Sequence, residues 1–201
     1  MGRQRTAVIM GHSQQAEFGL SMLSQNYNVV GAVPVLPEPE WTGHSFVRQC
    51  PVPLYRSHRD VPVVDLVLSV FYDQIIDADT IDRQGTMINL HNSLLPKHRG
   101  CNPVNWALKN GDREHGVTLH VINEGIDTGP ILGQRRFAID PEVDEVYDVY
   151  ERCLIAGRAL LRYHVGGSVT KQIATSQHGE SSYHGSKDHE RLGERKGWRR
   201  P

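Results

Sequence analysis

Residues 65–90 read DLVLSVFYDQIIDADTIDRQGTMINL, and they give the clearest indication of the fold. The apolar runs Asp65–Phe71 and Thr86–Leu90 have the length and composition of buried strands. Ile75–Arg83, which lies between them, predicts a short helix. A helix that connects two buried strands is typical of a βαβ unit, in which the two strands run parallel in one sheet.

The same alternation of strands and helices extends through the first part of the chain. Thr6–Met10 and Tyr27–Val33 predict further buried strands, with a helix over Gln14–Ser24 between them. Later in the chain, the predicted strands Gly116–Ile122 and Ile131–Ile139 follow one another without a helix, so we expect an antiparallel edge. The sequence therefore predicts an α/β protein with a mostly parallel, twisted sheet and helices on both faces. Three further elements are predicted, a short strand at Val52–Tyr55 and helices at Pro103–Lys109 and Val143–Val165.

Composition excludes several classes of protein. The 22 basic and 23 acidic residues nearly cancel, whereas proteins that bind nucleic acid carry a basic excess, so we expect no nucleic-acid partner. No apolar run is long enough for a membrane helix, and the N-terminus lacks the apolar core of a signal peptide. Three scattered cysteines, Cys50, Cys101 and Cys153, fit a reduced, cytoplasmic protein better than a disulfide framework. The 11 histidines accompany no HExxH pattern or cysteine pair, so we expect no metal.

Three polar residues near strand ends form a candidate catalytic group. Asn89 and His91 lie at the end of the predicted strand Thr86–Leu90, and Asp127 lies in the turn after the strand Gly116–Ile122. If these strands are neighbours, the three side chains converge at one edge of the sheet. A carboxylate beside an imidazole raises the pKa of the imidazole and fixes its orientation. Together with a carboxamide donor, this pair is suited to stabilising an oxyanion and moving a proton.

Three motifs of this chain, NLHNSLLPKHRG at residues 89–100, NPVNWAL at 102–108 and GVTLHVINEGIDTGPIL at 116–132, resemble those of the folate-dependent formyltransferase family. The resemblance implies a Rossmann-like formyltransferase fold, 10-formyltetrahydrofolate as the formyl donor and no metal. It also implies that Asn89, His91 and Asp127 are the catalytic residues and that the Leu95–Pro96 peptide bond is cis. The resemblance covers roughly residues 5–165, and we therefore expect residues 1–166 to form the catalytic domain. Residues 167–201 are polar and rich in charge with little periodicity, which predicts a polar tail or a peripheral hairpin.

The resemblance also implies where the pterin of the donor binds. It places the ring in a slot beside the strand Asp65–Phe71, between the loop that follows this strand and the segment just before Asp127. Much of the recognition there is by backbone groups. The predicted donor-binding residues are Tyr72, Gln74, Ile75, Ile76, Asn123, Glu124 and Gly125.

The acceptor amine is less narrowly defined by the motifs. HNS at residues 91–93, RGCNPVNWAL at 99–108 and SSYHGSKDHERLG at 181–193 are similar to formyltransferases that act on nucleotide-linked amino deoxysugars. We therefore expect His98, Arg99 and Asn102 near the entrance for such a sugar. The planar guanidinium of Arg99 suits a pyrophosphate.

Other acceptors and one other class of protein stay open. Family members that act on methionyl-tRNA carry a further C-terminal domain and a basic surface, which this sequence does not show. Those that act on glycinamide ribonucleotide have a glycine-rich turn after the first strand, where this chain has GHSQQAEF at residues 11–18. A hydroxyornithine acceptor and a folate- or nucleotide-binding protein without turnover are further alternatives. A homodimer through the exposed sheet edge or the tail fits the sequence.

Overall fold

The computed structural model describes residues 3–40, 44–165 and 174–192. Within these ranges, strands and helices alternate through the first two thirds of the chain, and a long helix follows the last strand of the main sheet. The strands are β1 Thr6–Gly11, β2 Asn28–Pro34, β3 Leu66–Val70, β4 Thr86–His91, β5 Arg99–Gly100, β6 Glu114–Val121, β7 Ile131–Ala138 and β8 Tyr183–His184. The helices are α1 Ser13–Leu23, α2 Phe46–Gln49, α3 Ala78–Arg83, α4 Pro103–Lys109 and α5 Val146–Val165, and a 3-10 helix spans Ser186–Leu192.

Six of the strands form one sheet, in the order β2-β1-β3-β4-β6-β7. The pairs β1–β2, β1–β3 and β3–β4 are parallel, whereas β4–β6 and β6–β7 are antiparallel. The mostly parallel α/β sheet and its antiparallel edge, both predicted from the alternation of elements, are thus confirmed. The strand β4 lies at the change of direction, with a parallel neighbour on one side and an antiparallel neighbour on the other.

The alternation of side chains along β1 shows how the sheet is covered. Ala7 and Ile9 belong to the larger core cluster, which includes the buried residues of α1 and α5. Val8 and Met10 point to the other face and belong to a smaller cluster, against which Ile81 of α3 packs. Because successive side chains of a strand alternate between faces, an apolar strand such as β1 needs cover on both.

Among the described residues, one predicted strand is absent, and two predicted helices begin three residues later than expected. Residues 52–55 make a single bridge from Leu54 to Ala32 rather than a strand. The helix α3 begins at Ala78 because the side chain of Asp77 accepts a hydrogen bond from the backbone N–H of Thr80 at 3.0 Å. The helix α5 begins at Val146 and not at Val143.

Residues 174–192 follow α5 and lie against the rest of the chain. The strand β8 pairs in parallel with β5, outside the main sheet, and the 3-10 helix contacts α4. The remaining parts of the predicted tail, 167–173 and 193–201, lie outside the described residues, and the predicted division at residue 166 stays a prediction. No helix among the described residues combines the length and the hydropathy that crossing a membrane requires.

Candidate active site

A cavity of about 930 Å³ opens where three parallel strands end. His12 follows β1, Phe71 follows β3 and His91 is the last residue of β4, and all three line the cavity. Ligands of open α/β sheets bind outside the carboxyl ends of the strands, where the backbone leaves the sheet. The volume is near the upper end of the ~300–1,000 Å³ that small-molecule sites span, so it suits a large ligand or two ligands.

Strand register brings three polar side chains to one place on the cavity wall. Asn89 and His91 are two residues apart on β4 and therefore share a face of the sheet. The antiparallel neighbour β6 sets His120 directly opposite Asn89. The side-chain nitrogen of Asn89, Nδ2, lies 3.2 Å from Nε2 of His120. His91 and His120 are both buried.

Asp127 completes this group from the loop between β6 and β7. Its Oδ2 lies 3.5 Å from Nδ1 of His91 and accepts a hydrogen bond from the backbone N–H of Gly100 at 2.8 Å. Its Oδ1 lies 3.3 Å from Nε2 of His120 and 3.4 Å from Nδ2 of Asn89. The structure therefore brings together the three residues that the sequence predicts to be catalytic, and it adds His120 to them.

Burial and charge set the protonation of this group. Burial lowers the pKa of His91, and the charge of Asp127, which raises it, does not compensate. Asp127 thus raises the pKa of His91 by charge attraction, as expected, but desolvation of the ring is larger and the net shift is downward. Burial also opposes ionisation of Asp127, but the neighbouring His91 and His120 and the N–H of Gly100 outweigh it and hold the pKa of Asp127 well below its usual range. At neutral pH, Asp127 is thus the charged member of the pair.

A rigid turn fixes the ring of His91 from its other side. Nε2 of His91 donates to the backbone carbonyl of His98 at 2.8 Å. Within the turn, Ser93 donates its hydroxyl to the carbonyl of Lys97 at 2.6 Å. Oγ1 of Thr118, on β6, donates to the carbonyl of Ser93 and accepts from the N–H of Leu95. The Leu95–Pro96 peptide bond is cis, as the resemblance implied.

Strained backbone is concentrated around the cavity. Of the five residues other than glycine with positive φ in the described chain, Phe71, Asn102 and Asp127 line the cavity. Asp127 has φ 53°, in the left-handed region that an L-residue enters at a cost. Such residues persist where surrounding contacts hold them and are common at functional sites.

All seven predicted donor-binding residues line the cavity. Tyr72 is supported from behind by His58, whose Nδ1 lies 3.0 Å from the tyrosine hydroxyl. Nε2 of the same buried ring lies 3.1 Å from Oδ2 of Asp77, the residue that caps the N-terminus of α3. This chain of contacts ties the donor loop to the body of the protein. The assignment of these residues to the donor itself stays a prediction.

The three predicted acceptor-binding residues are placed differently from one another. Asn102 lines the cavity, and it immediately precedes α4 as expected, but its side chain makes no capping hydrogen bond. His98 is buried and contacts Oδ2 of Asp112 at 2.7 Å, and Arg99 donates to Oε1 of Gln177 at 2.7 and 3.2 Å. His98 and Arg99 are not among the described residues that line the cavity. Their role as substrate ligands stays a prediction that these contacts do not support.

Several cavity residues are absent from the predicted set. His12, Ser69, His120 and Tyr150 line the cavity together with Lys187 of the 3-10 helix. A histidine in the apolar run GVTLHVI was the one visible signal for His120, but its register against Asn89 cannot be read from sequence. Among the residues of the three described ranges, no group of three or more His, Cys, Asp or Glu side chains could hold a metal ion.

Known proteins of one family are similar to this chain in sequence and in fold. The formyl transferase family profile matches residues 24–164. A methionyl-tRNA formyltransferase of Myxococcus xanthus is 31% identical over 182 residues, which cover 81% of this chain and 57% of that protein. Across three such curated relatives, the match covers between 31% and 57% of their full length.

Solved structures extend the likeness to the whole fold. A Mycobacterium tuberculosis protein, described as a candidate sugar N-formyltransferase, has a TM-score of 0.75 and 25% identity, covering 96% of this chain and 83% of that one. The formyltransferase PseJ of Anoxybacillus kamchatkensis, solved with a UDP-linked formamido sugar and tetrahydrofolate, has a TM-score of 0.67 and 25% identity, covering 92% of this chain and 88% of that one. On the strength of the profile match, the chain belongs to the formyl transferase family.

Proposed function

We propose that this protein transfers a formyl group from 10-formyltetrahydrofolate to the primary amine of a nucleotide-linked amino deoxysugar. The observation that carries the proposal is the convergence of Asn89, His91 and Asp127 on one wall of a large cavity. Hydrogen-bond donors and a proton-holding pair at one point are what acyl transfer to an amine requires.

The cavity residues fit the donor. A pterin is flat and largely apolar, with hydrogen-bonding groups along its edge, and the wall near β3 offers Ile76 and Ile122 beside the polar Gln74 and Asn123. Because Ile76 and Ile122 also pack against the smaller core cluster, this wall is fixed in place. The donor supplies a formyl group on a nitrogen that leaves once it is protonated.

Asn89 and His91 are suited to act on the formyl oxygen. Nδ2 of Asn89 is an N–H donor on a buried strand, and the ring of His91 is held by the carbonyl of His98. Donors that are already in place stabilise a developing negative charge more strongly than water does, because they need no reorganisation. A proton on Nδ1 of His91 would lie beside Oδ2 of Asp127, which favours the charged ring while charge develops.

The pair of His91 and Asp127 provides a place for one proton. The attacking amine must lose a proton, and the leaving nitrogen of the donor must gain one. The neutral ring of His91 can take up a proton at Nδ1, where the Asp127 carboxylate stabilises the charged form, and it gives the proton up easily because burial lowers the pKa of the ring. His120, which faces the other carboxylate oxygen, helps to keep Asp127 ionised during this exchange.

Two observations support a nucleotide sugar as the acceptor. The PseJ enzyme, which shares the fold, was solved with a UDP-linked sugar and tetrahydrofolate. On the side of the cavity formed by α4 and the 3-10 helix, Asn102, Asn105, Lys187 and His189 offer donors for phosphate and sugar oxygens. The free thiols of the three cysteines suit the reducing cytoplasm, where we place the reaction. A homodimer stays a prediction.

The test is turnover with a panel of amines. Purified protein is incubated with 10-formyltetrahydrofolate and, separately, with dTDP- and UDP-linked 3-amino and 4-amino deoxysugars, glycinamide ribonucleotide, hydroxyornithine and methionyl-tRNA. Release of tetrahydrofolate is followed by absorbance and the formylated product by mass spectrometry. We expect turnover on at least one nucleotide sugar and none on the other three acceptors.

The His91→Asn variant tests the catalytic role, because it replaces the titratable ring by a polar amide that cannot take up a proton near neutral pH. It should lose turnover while binding the donor as the wild type does, measured by calorimetry. Turnover on methionyl-tRNA alone, or on glycinamide ribonucleotide alone, would show that the nucleotide sugar is the wrong acceptor. Donor binding without turnover on any amine would instead favour a protein that binds folate and does not transfer the formyl group.

A further inference from the structure

Residues 175–184, which we call the clasp, cross two loops that carry the candidate catalytic residues. On one side, Thr175 and Ile131 exchange backbone hydrogen bonds at 2.7 and 2.8 Å, at the end of the loop that contains Asp127. This contact joins the clasp to the first residue of β7. The clasp lies beyond residue 164, where the family profile match ends.

On the other side, the clasp is bonded to the turn that holds His91. The hydroxyl of Ser182 accepts from the N–H of His98 at 2.8 Å, and its carbonyl accepts from the N–H of Arg99 at 2.9 Å. The carbonyl of His184 accepts from the N–H of Cys101 at 2.7 Å. The clasp thus holds the backbone of His98, whose carbonyl accepts the hydrogen bond from the ring of His91.

Gln177 joins the two sides through a single side-chain amide. Its Nε2 donates to the carbonyls of Asp127 and Gly129, both at 2.8 Å. Its Oε1 accepts from Nη2 and Nε of Arg99 at 2.7 and 3.2 Å. Both N–H groups and the oxygen of this amide are therefore used, and every partner belongs to a segment that contacts the catalytic group.

These contacts bear on the geometry of Asp127 in particular. The residue has a left-handed backbone, which is maintained only when surrounding contacts hold it. Gly100 holds its carboxylate and Gln177 holds its carbonyl, while Arg99, which is adjacent to Gly100, holds Gln177. The result is a closed ring of contacts from residue 99 through 177 and 127 back to 100.

We infer that Gln177 is a positioning residue, which fixes Asp127 at its distance from His91 by holding the backbone of the Asp127 loop against the turn at residues 98–101. The inference rests on the proposed function for its catalytic consequence. Gln177 is not among the described residues that line the cavity, so it acts through Asp127 and not on the substrate. The inference also gives the guanidinium of Arg99 the role of holding Gln177, in place of the predicted contact with a pyrophosphate.

Two variants at residue 177 distinguish the contacts made by the oxygen of this amide from those made by its nitrogen. Gln177→Ala removes every contact, whereas Gln177→Glu keeps an acceptor for Arg99 and removes both donors to the carbonyls of the loop. Because a displacement of about 1 Å in a catalytic group can cost about 100-fold in rate, we expect either variant to lower kcat about 10- to 100-fold. The KM for the donor should change by less than about twofold, since the donor wall is not touched.

The control is Gln25→Ala, which removes an exposed glutamine far along the sequence from the clasp. It should leave kcat, KM and the thermal midpoint at their wild-type values. Activity is expressed per folded protein from thermal melts, so a loss that merely follows the folded fraction overturns the inference. An unchanged kcat in Gln177→Glu, or a rise in KM without a fall in kcat, overturns it as well.

A second measurement does not depend on turnover. The ring signals of His91 in NMR spectra report the distance and charge of Asp127, and of His98 and His120, the other groups that face the ring. We expect these signals to shift in both Gln177 variants and to stay in place in Gln25→Ala. If the wild type formylates none of the amines, the proposed function fails while the shift still decides the inference. Unmoved His91 signals overturn it whatever the activity.

Discussion

Replacing Asp127 by asparagine tests the proton-holding pair directly. The substitution preserves shape and removes the charge that faces His91. The new side chain can still accept from the N–H of Gly100 through its oxygen, as Oδ2 of Asp127 does at 2.8 Å. Its nitrogen then replaces Oδ1 and faces Nδ2 of Asn89, at a position where the carboxylate oxygen lies 3.4 Å away. A donor thus faces a donor, and the amide of Asn89 loses an acceptor.

The expected loss can be worked from one distance. Asp127 and a protonated His91 ring would be 3.5 Å apart, and at an effective dielectric constant of about 20 two unit charges at that distance attract by about 5 kcal/mol. Since about 1.4 kcal/mol corresponds to a tenfold change in rate, the upper limit is a loss of about 10³- to 10⁴-fold. General acid–base groups contribute ~10²–10⁴-fold, so we expect Asp127→Asn to lower kcat about 10³-fold.

The assay is steady-state release of tetrahydrofolate with the best acceptor of the panel, together with calorimetry of donor binding. Donor affinity should be retained, because the change is confined to the catalytic end of the cavity. Asp82→Asn, on the exposed side of α3, neutralises a carboxylate without entering the cavity and should behave as wild type. An Asp127→Asn enzyme that retains kcat within about tenfold of the wild type would refute the proton-holding pair.

Three further perturbations have expected outcomes of their own. His58→Phe removes one hydrogen-bonding partner of the Tyr72 hydroxyl and leaves the contact with Oε1 of Gln74, so it should raise the KM for the donor up to about tenfold and leave kcat unchanged in steady-state assays. Leu161→Ala empties a fully buried site in α5 and should lower the free energy of unfolding by about 2–5 kcal/mol in urea titrations, whereas Ile155→Ala on the exposed face should change it little. The pKa of Asp127 is lower in the folded protein than its ordinary value of 3.8, so its charge stabilises the fold above that pH and the contribution is lost as the pH falls further. The difference in unfolding free energy between wild type and Asp127→Asn should therefore shrink on acidification, and a difference that grows would contradict the assignment of charge.

The main sheet could be predicted because its strands are apolar on both faces. Asp65–Phe71 and Thr86–Leu90 are recognisable without a partner, and the structure has strands at Leu66–Val70 and Thr86–His91. Val52–Tyr55 has a similar composition but makes only one bridge, since strand pairing depends on what lies beside the segment. The helix α5 begins three residues later than the sequence predicts because the N–H groups of Val143 and Asp144 both bond to the carbonyl of Asp140, in a turn that precedes the helix.

The candidate site was predictable where its residues are near each other in sequence or follow strand ends. Asn89 and His91 share a face by their spacing of two, and Asp127 follows from the paired motifs. The net direction of the pKa shift of His91 cannot be predicted from the sequence, because the depth of burial, which outweighs the charge of Asp127, is a property of the whole fold. The motifs place His98 and Arg99 at the entrance for the acceptor. Their contacts with Ser182 and Gln177 cannot be predicted from the sequence, because these partners are 84 and 78 residues further along the chain.

The clasp has a consequence for how the protein acquires its activity during synthesis. Arg99 and Gln177 are 78 residues apart, and contacts of such large sequence separation form late because closing a long loop costs entropy. The chain emerges from its N-terminus, so β1 to β4 can begin to pair before the clasp has been made. A nascent chain that has completed its sheet would thus be folded in appearance and still inactive, and the last step of maturation would be the seating of ten residues over the loops already present.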